Sequence, residues 1–436
     1  LTVGTAVNDS LAVGGFTGTG EQTIGSIKAS GSLRNVKVNE SINSAINASA
    51  AVLGSAVAQQ EIGSINVGSA DGYSLNVKLE SLVNAGAAVA GSSKVVQKIG
   101  DADASVLQEV TQDITAGNIS NASAALAGSA SAEQEVGNIE SGFLQSSSLR
   151  VAVKGDITNV AVALAGAATS DQRVGLLKVA KGTDVNLSLS LSSVTGVSAA
   201  AAGSARVDQT VGVLSGSLYS NVIDSLESRA VSGTGLGVLG KGTSIAKLAV
   251  IDANIAKDVQ LTEQLGDVTT TAAGINATST IIAGSFSGSS IVSDSMAIDT
   301  KNITSDAYGV GARASVAVGQ FSGLSNLSGS ISTGNIYARS ISAYSSSPVR
   351  VGYDVSGGMS SITMNISTGD IDNKVDVAAG GSSEIYVGTI LEKVNQQTTV
   401  NIKTGNLSSH VVAAIGGTNG ILIGNVNSSS GGKVDV

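Results

Sequence analysis

The chain has no cysteine and no tryptophan, a single proline at Pro348, a single histidine at His410, and only 13% charged residues. Each scarcity excludes something. Without cysteine there is no disulfide framework and no thiolate metal site. One histidine provides neither a metal cluster nor a proton relay, so His410 reads as a surface or edge residue. Seven tyrosines and four phenylalanines cannot build the aromatic girdles and bulky lipid-facing band of an outer-membrane β-barrel. A net charge of −9 leaves no basic footprint for nucleic acid or an anionic membrane. No apolar run approaches the ~20 residues of a membrane-spanning helix, so no membrane insertion is expected. Near-absence of proline leaves almost every backbone N–H free to pair, as strands bonded on both sides require.

What is abundant is small: 55 glycines among alanine, valine, serine and asparagine, a composition suited to thin, closely spaced layers. It is also periodic. The step Gln-x-Ile/Val-Gly occurs at Gln22/Gly25, Gln60/Gly63, Gln97/Gly100, Gln134/Gly137, Gln172/Gly175 and Gln209/Gly212, with glycine spacings of 38, 37, 37, 38 and 37 residues. A second glycine keeps the same beat at Gly54, Gly91, Gly128, Gly166, Gly203 and Gly240. Two independent markers with one period define a repeat protein. Alternating segments such as Leu75-Asn76-Val77-Lys78-Leu79 make the repeats strands, and glycine within each alanine-rich string weighs against a helical solenoid.

The regular repeats fill residues 21–245, after an N-terminal strand segment at 1–20. Residues 246–280 form an irregular repeat, where helix-compatible spacing from Ile255 to Leu265 predicts a helical turn. A second run of repeats occupies 281–436 with Gly284, Gly319, Gly352, Gly388 and Gly424 as markers. A midway marker, Gly334-Asn335-Ile336, Gly369-Asp370-Ile371 and Gly405-Asn406-Leu407, divides each repeat into similar halves. At ~3.3 Å per residue, a 37-residue coil has a perimeter of ~120 Å, too wide for alanine and valine to fill. The expected fold is therefore all-β, a parallel β-helix with coils of about 18–19 residues, two per 35–38-residue repeat, and Gly-Asn and Gly-Asp corners at positive φ. With an intervening coil, successive glutamines would lie ~9.6 Å apart, each clasping backbone or side-chain groups of the coil between.

Chemistry is sparse. No carboxylate–base cluster recurs at the repeat spacing, as a polysaccharide-cleaving β-helix would need, and P-loop and dinucleotide fingerprints are missing. The expectation is a non-enzyme with no cofactor and no metal. Asp101/Asp103 and Asp370/Asp372 read as solvated turns, since two carboxylates alone bind calcium weakly. Asn47, Asn118, Asn186, Asn302, Asn365 and Asn406 lie in glycosylation sequons.

The Gly-Asn/Asp-Ile/Leu corners at Gly117-Asn118-Ile119, Gly334, Gly369 and Gly405, on an 18–19-residue rung, resemble the repeats of filamentous-haemagglutinin-like surface exoproteins. The resemblance implies a secreted β-helical fibre or adhesin. A first residue, Leu1, that is not methionine points the same way, to a mature chain that is extracellular or on the cell surface. The expected function is an extracellular structural protein whose subunits self-assemble into a filament or surface layer, copies of itself being the partner. Strand-like Leu1, Val3, Val13 and Phe16 and terminal Val434 and Val436 are the candidate assembly strands. The alternative is a monomeric adhesin or glycan-binding stalk.

Overall fold

The computed structural model describes the whole chain except residues 14–16, 293, 325, 342–343, 355–360, 378, 395–397, 414–415, 429–433 and 436. Successive coils pair in parallel, each strand with the strand one period away, giving a β-solenoid of about eleven turns. The parallel β-helix inferred from the repeats is the observed fold. The coil length is not: Gln22 pairs with Gln60, Gln60 with Gln97, and Gln97 with Gln134 in direct register, so each 37-residue repeat is one coil rather than two.

A representative coil shows how so long a perimeter is filled. It comprises strands Lys37–Leu53, Ala56–Ile62 and Ile65–Asp71. In the first, the inward set is Glu40 and Ile42, then slips phase to Ala45, Asn47, Ser49 and Ala51. That slip is a corner, and the midway Gly-Asn and Gly-Asp steps occupy it in other coils. Four sides result. Two of them, 45–53 and 56–62, fold back on one another around Gly54 into a narrow arm, lined from its tip inward by Ala51 and Ala56, Ser49 and Ala58, then Asn47 and Gln60. The remaining sides enclose a broader core of Ile, Leu and Val, including Ile62, Ile65, Leu75 and Leu82. Small side chains let the arm's two sheets approach closely, so about half of the perimeter encloses no lumen. A 37-residue coil is too wide for small side chains only as an open ring, and this one is folded flat along the arm.

The two glycine classes have different physical causes. Gly25, Gly63, Gly100, Gly137, Gly175 and Gly212 all sit at φ between +61° and +65°, where a Cβ is strained. The corner glycines do not need positive φ, contrary to expectation. At Gly369 and Gly405 a Cβ would lie 2.5 Å from Asn335 Oδ1 and Asp370 Oδ1 respectively; glycine is required there because the preceding coil's side chain fills the space. Those same oxygens accept the backbone N–H of the next corner, Asp370 N to Asn335 Oδ1 at 2.9 Å and Asn406 N to Asp370 Oδ1 at 2.7 Å. The stretch expected to contain a helical turn lies within one continuous strand, Gly242–Ala273, held in register with Ala205–Gly237.

Candidate functional site: internal ladders, a charged groove and an uncharged face

The glutamines face inward and touch one another, which corrects the expected clasp to an intervening coil. Gln60 Nε2 donates to Gln22 Oε1 at 2.7 Å, Gln97 to Gln60 at 2.8 Å, Gln134 to Gln97 at 2.9 Å, Gln172 to Gln134 at 2.8 Å and Gln209 to Gln172 at 3.1 Å. Several also reach across the arm to a carbonyl of the facing sheet, as Gln134 does to Thr158 O at 3.3 Å. The ladder stops at Gln209, whose register neighbour on the next coil is Ala246.

A second ladder runs beside it. Asn8 Nδ2 donates to Asn47 Oδ1 at 3.0 Å, and the chain of amides continues through Asn84 and Asn121 to Asn159. Each of the last four also bonds across the arm to the carbonyl twelve residues on, as Asn121 does to Glu133 O at 2.8 Å. Sequence reasoning missed this ladder, although Asn47, Asn84, Asn121 and Asn159 recur at steps of 37, 37 and 38. It also overturns one sequon: Asn47 is fully buried with its amide engaged on both sides, leaving no room for a glycan. Asn118, Asn186, Asn302, Asn365 and Asn406 are exposed.

Among the candidate assembly strands, Leu1 and Val13 are exposed, while Val3 packs against the main core. Val434 pairs with Thr398; Phe16 and Val436 lie outside the described residues. His410 is exposed on the strand Leu407–Ala413.

Charges do recur at repeat spacing. Glu61, Lys98, Glu135 and Arg173 form a column of alternating sign on four successive coils. Lys98 Nζ lies 2.5 Å from Glu135 Oε2 and Arg173 Nη1 2.7 Å from Glu135 Oε1. Beside them a groove of about 360 Å³ is lined by Lys28, Asp101, Asn138 and Lys178 among others. Desolvation and the neighbouring Glu135 hold the Asp101 carboxyl well above the usual range. Burial alone would raise Glu135 too, but hydrogen bonds from Lys98 and Asp101, with the charges of Lys98 and Arg173, bring it below the usual value. The cations beside Glu135 favour its ionised form over that of Asp101. Lys28, Lys98, Arg173 and Lys178 are all engaged in ion pairs, so the groove is a closed ladder of opposite charges rather than a vacant anion site.

The arm presents the opposite character. On its 45–53 side the outward residues of one coil are Ile46, Ala48, Ala50 and Val52, and the register carries these four columns through six coils to Ser232, Thr234, Leu236 and Val238. None of the 24 positions, four on each of six coils, carries a charge. The seventh coil continues with Thr269, Thr271 and Ala273. The face ends in an acid at both limits, Asp9 in register with Ala48 and Asp306 in register with Thr271. Large side chains remain open on it, Leu126 at 50% and Val238 at 72% exposure. The result is a continuous uncharged face bounded by one acid at each end.

Among the described residues no helix is long and apolar enough to cross a membrane. The chain matches no protein-family model, no curated protein and no solved structure.

Proposed function

We propose that this chain is an extracellular structural protein, a β-solenoid subunit that assembles with copies of itself into a filament or surface layer. The observation that carries the reading is the pair of buried amide ladders, from Gln22 to Gln209 and from Asn8 to Asn159, in the N-terminal part of the solenoid. Their hydrogen bonds run along the solenoid axis, parallel to the backbone ladders, and tie coil to coil through the protein's interior. Such an interior confers stiffness along one direction, the property a structural rod needs, and repetition makes it extensible. The reading includes no catalytic role, in keeping with a charged groove whose cations are already paired. The extracellular part rests on the exposed sequons at Asn118, Asn186, Asn302, Asn365 and Asn406. Electron microscopy of the purified protein across a concentration series tests it. Ordered assemblies built of rods are expected; lasting monodispersity at every concentration would overturn it.

A further inference from the structure

We propose that the uncharged face of the arm is the surface through which two copies of this chain pair side by side, with their solenoid axes parallel. The inference rests on the structural reading above and names the contact that assembly would use.

Three features of the face select a second copy as its occupant. The first is size. Six residues along the strand at ~3.3 Å and seven coils at ~4.8 Å give ~20 by ~34 Å, or ~680 Å² on each copy and ~1,360 Å² in all, inside the range of about 1,200–2,000 Å² that stable interfaces bury. The second is relief. A shallow trough runs along the column containing Ala50, Ala87 and Ala124, beside a ridge formed by Val52, Val89 and Leu126. A two-fold axis along the solenoid direction, midway between these columns, sets each copy's ridge in the other's trough, the isologous match of a symmetric pair. An axis along the strands, which sets the solenoid axes antiparallel, would oppose ridge to ridge. The match is tightest over the first three coils, because Val162 interrupts the alanine column farther along. The third is charge. A lipid-docking surface carries a basic rim and interfacial aromatics, whereas this one is bounded by Asp9 and Asp306 and has no aromatic residue in its 24 positions. Two like faces with no charge between them have no repulsion to overcome.

The test is sedimentation equilibrium on the full chain, with Ala124→Glu as the disrupting variant. Ala124 points outward and is exposed, so the variant folds, which an unchanged far-UV circular dichroism spectrum verifies. Ser105→Glu, exposed on a different side of the coil, is the control. The expected result is a wild-type dimer, a control that dimerises equally, and at least a tenfold higher dissociation constant for Ala124→Glu, because an unpaired carboxylate is buried at the interface. Orientation is read from Ala50→Cys in this cysteine-free chain. A short bismaleimide of about 8 Å joins two copies if the axes are parallel. In an antiparallel pair the same residues lie about six coils, or ~29 Å, apart and do not react. Assembly of Ala124→Glu as tight as wild type would overturn the pairing and leave the structural reading standing. Wild-type protein that stays monomeric throughout would overturn both. Binding of monomeric protein to neutral phosphatidylcholine vesicles would assign the face to lipid and overturn the pairing as well.

Discussion

At the residue scale, the amide of Gln134 stands for the whole interior. It donates to Gln97 and accepts from Gln172, in a place where water does not compete. Replacing it with leucine leaves one buried donor and one buried acceptor on its neighbours unmatched, at a cost of ~1–3 kcal/mol for each orphaned group. Gln134→Leu should therefore lower the denaturation midpoint well beyond an exposed substitution such as Ser105→Leu, and equal midpoints would show that the ladder contributes nothing. Gly137 is constrained differently. Its φ of +63° disfavours any side chain, and a Cβ there would lie 2.7 Å from Val151 Cγ2. Yet Ala249, flanked by register pairs of that same ladder, sits at φ +46° and is fully buried, so the fold accommodates a methyl group at this kind of position. Gly137→Ala is accordingly expected to fold and to lose ~1–2 kcal/mol from the left-handed backbone. Calorimetry showing no loss would mean the conformation is not maintained in solution.

At the scale of the element, the strands facing the broad core contain an inconsistency that the sequence displays but does not explain. The inward column that reads Val77, Ile114, Val151 and Leu189 holds Glu40 on an earlier coil and Glu263 on a later one. Asp224 is buried in the adjacent column, and both Asp224 and Glu263 are fully enclosed without hydrogen-bond partners among the described residues. Burial holds both well above the ordinary carboxylate range, Glu263 further raised by Asp224. Burial likewise pushes Glu40 up to about 7 and Asp294 up to about 7. All four bind protons more tightly folded than unfolded, so their linkage has one sign. Stability is fully present below the unfolded values near 4 and is lost as pH rises, for Glu40 and Asp294 through about 7. Glu135, lowered in the fold, opposes this, but its neighbour Asp101, raised by burial, acts in the same direction as the four. The chemical denaturation midpoint should be higher at pH 5 than at pH 8, and Asp224→Leu with Glu263→Leu, matching their leucine register neighbours Leu187 and Leu226, should shrink the difference. A midpoint that rises with pH would contradict the assignment. The strands themselves were legible in the sequence because glycine and glutamine mark one point on every coil. The arm was not, because an alternating run such as Ala48-Ser49-Ala50-Ala51 does not say that its inward half meets another sheet. The same run supplies the outward face, so the narrow core and the lateral surface are the two sides of one strand.

At the scale of the molecule, register makes the coil the unit of construction, and that can be tested by removing one. Residues 111–147 span one period: Thr111 pairs with Ser148, and Ser148 N donates to Val110 O at 2.8 Å. Deleting them joins Val110 to Ser148, restores every column to register, and removes one rung from each ladder while shortening the stack by ~4.8 Å. Because each coil contacts chiefly its neighbours, stability should fall by one coil's share without loss of fold. Deleting 111–128 instead removes a half-period and joins Val110 to Ser129, setting the arm's far side, Ala130–Val136, where the broad core needs Ile114 and Ile119. That variant should lose cooperative unfolding and aggregate. Were the rung 18 or 19 residues, the two deletions would be equally harmless. Thermal melts followed by circular dichroism, with size-exclusion profiles of both variants, separate these cases, and a half-period deletion that melts as sharply as the full-period one would return the coil to half its length.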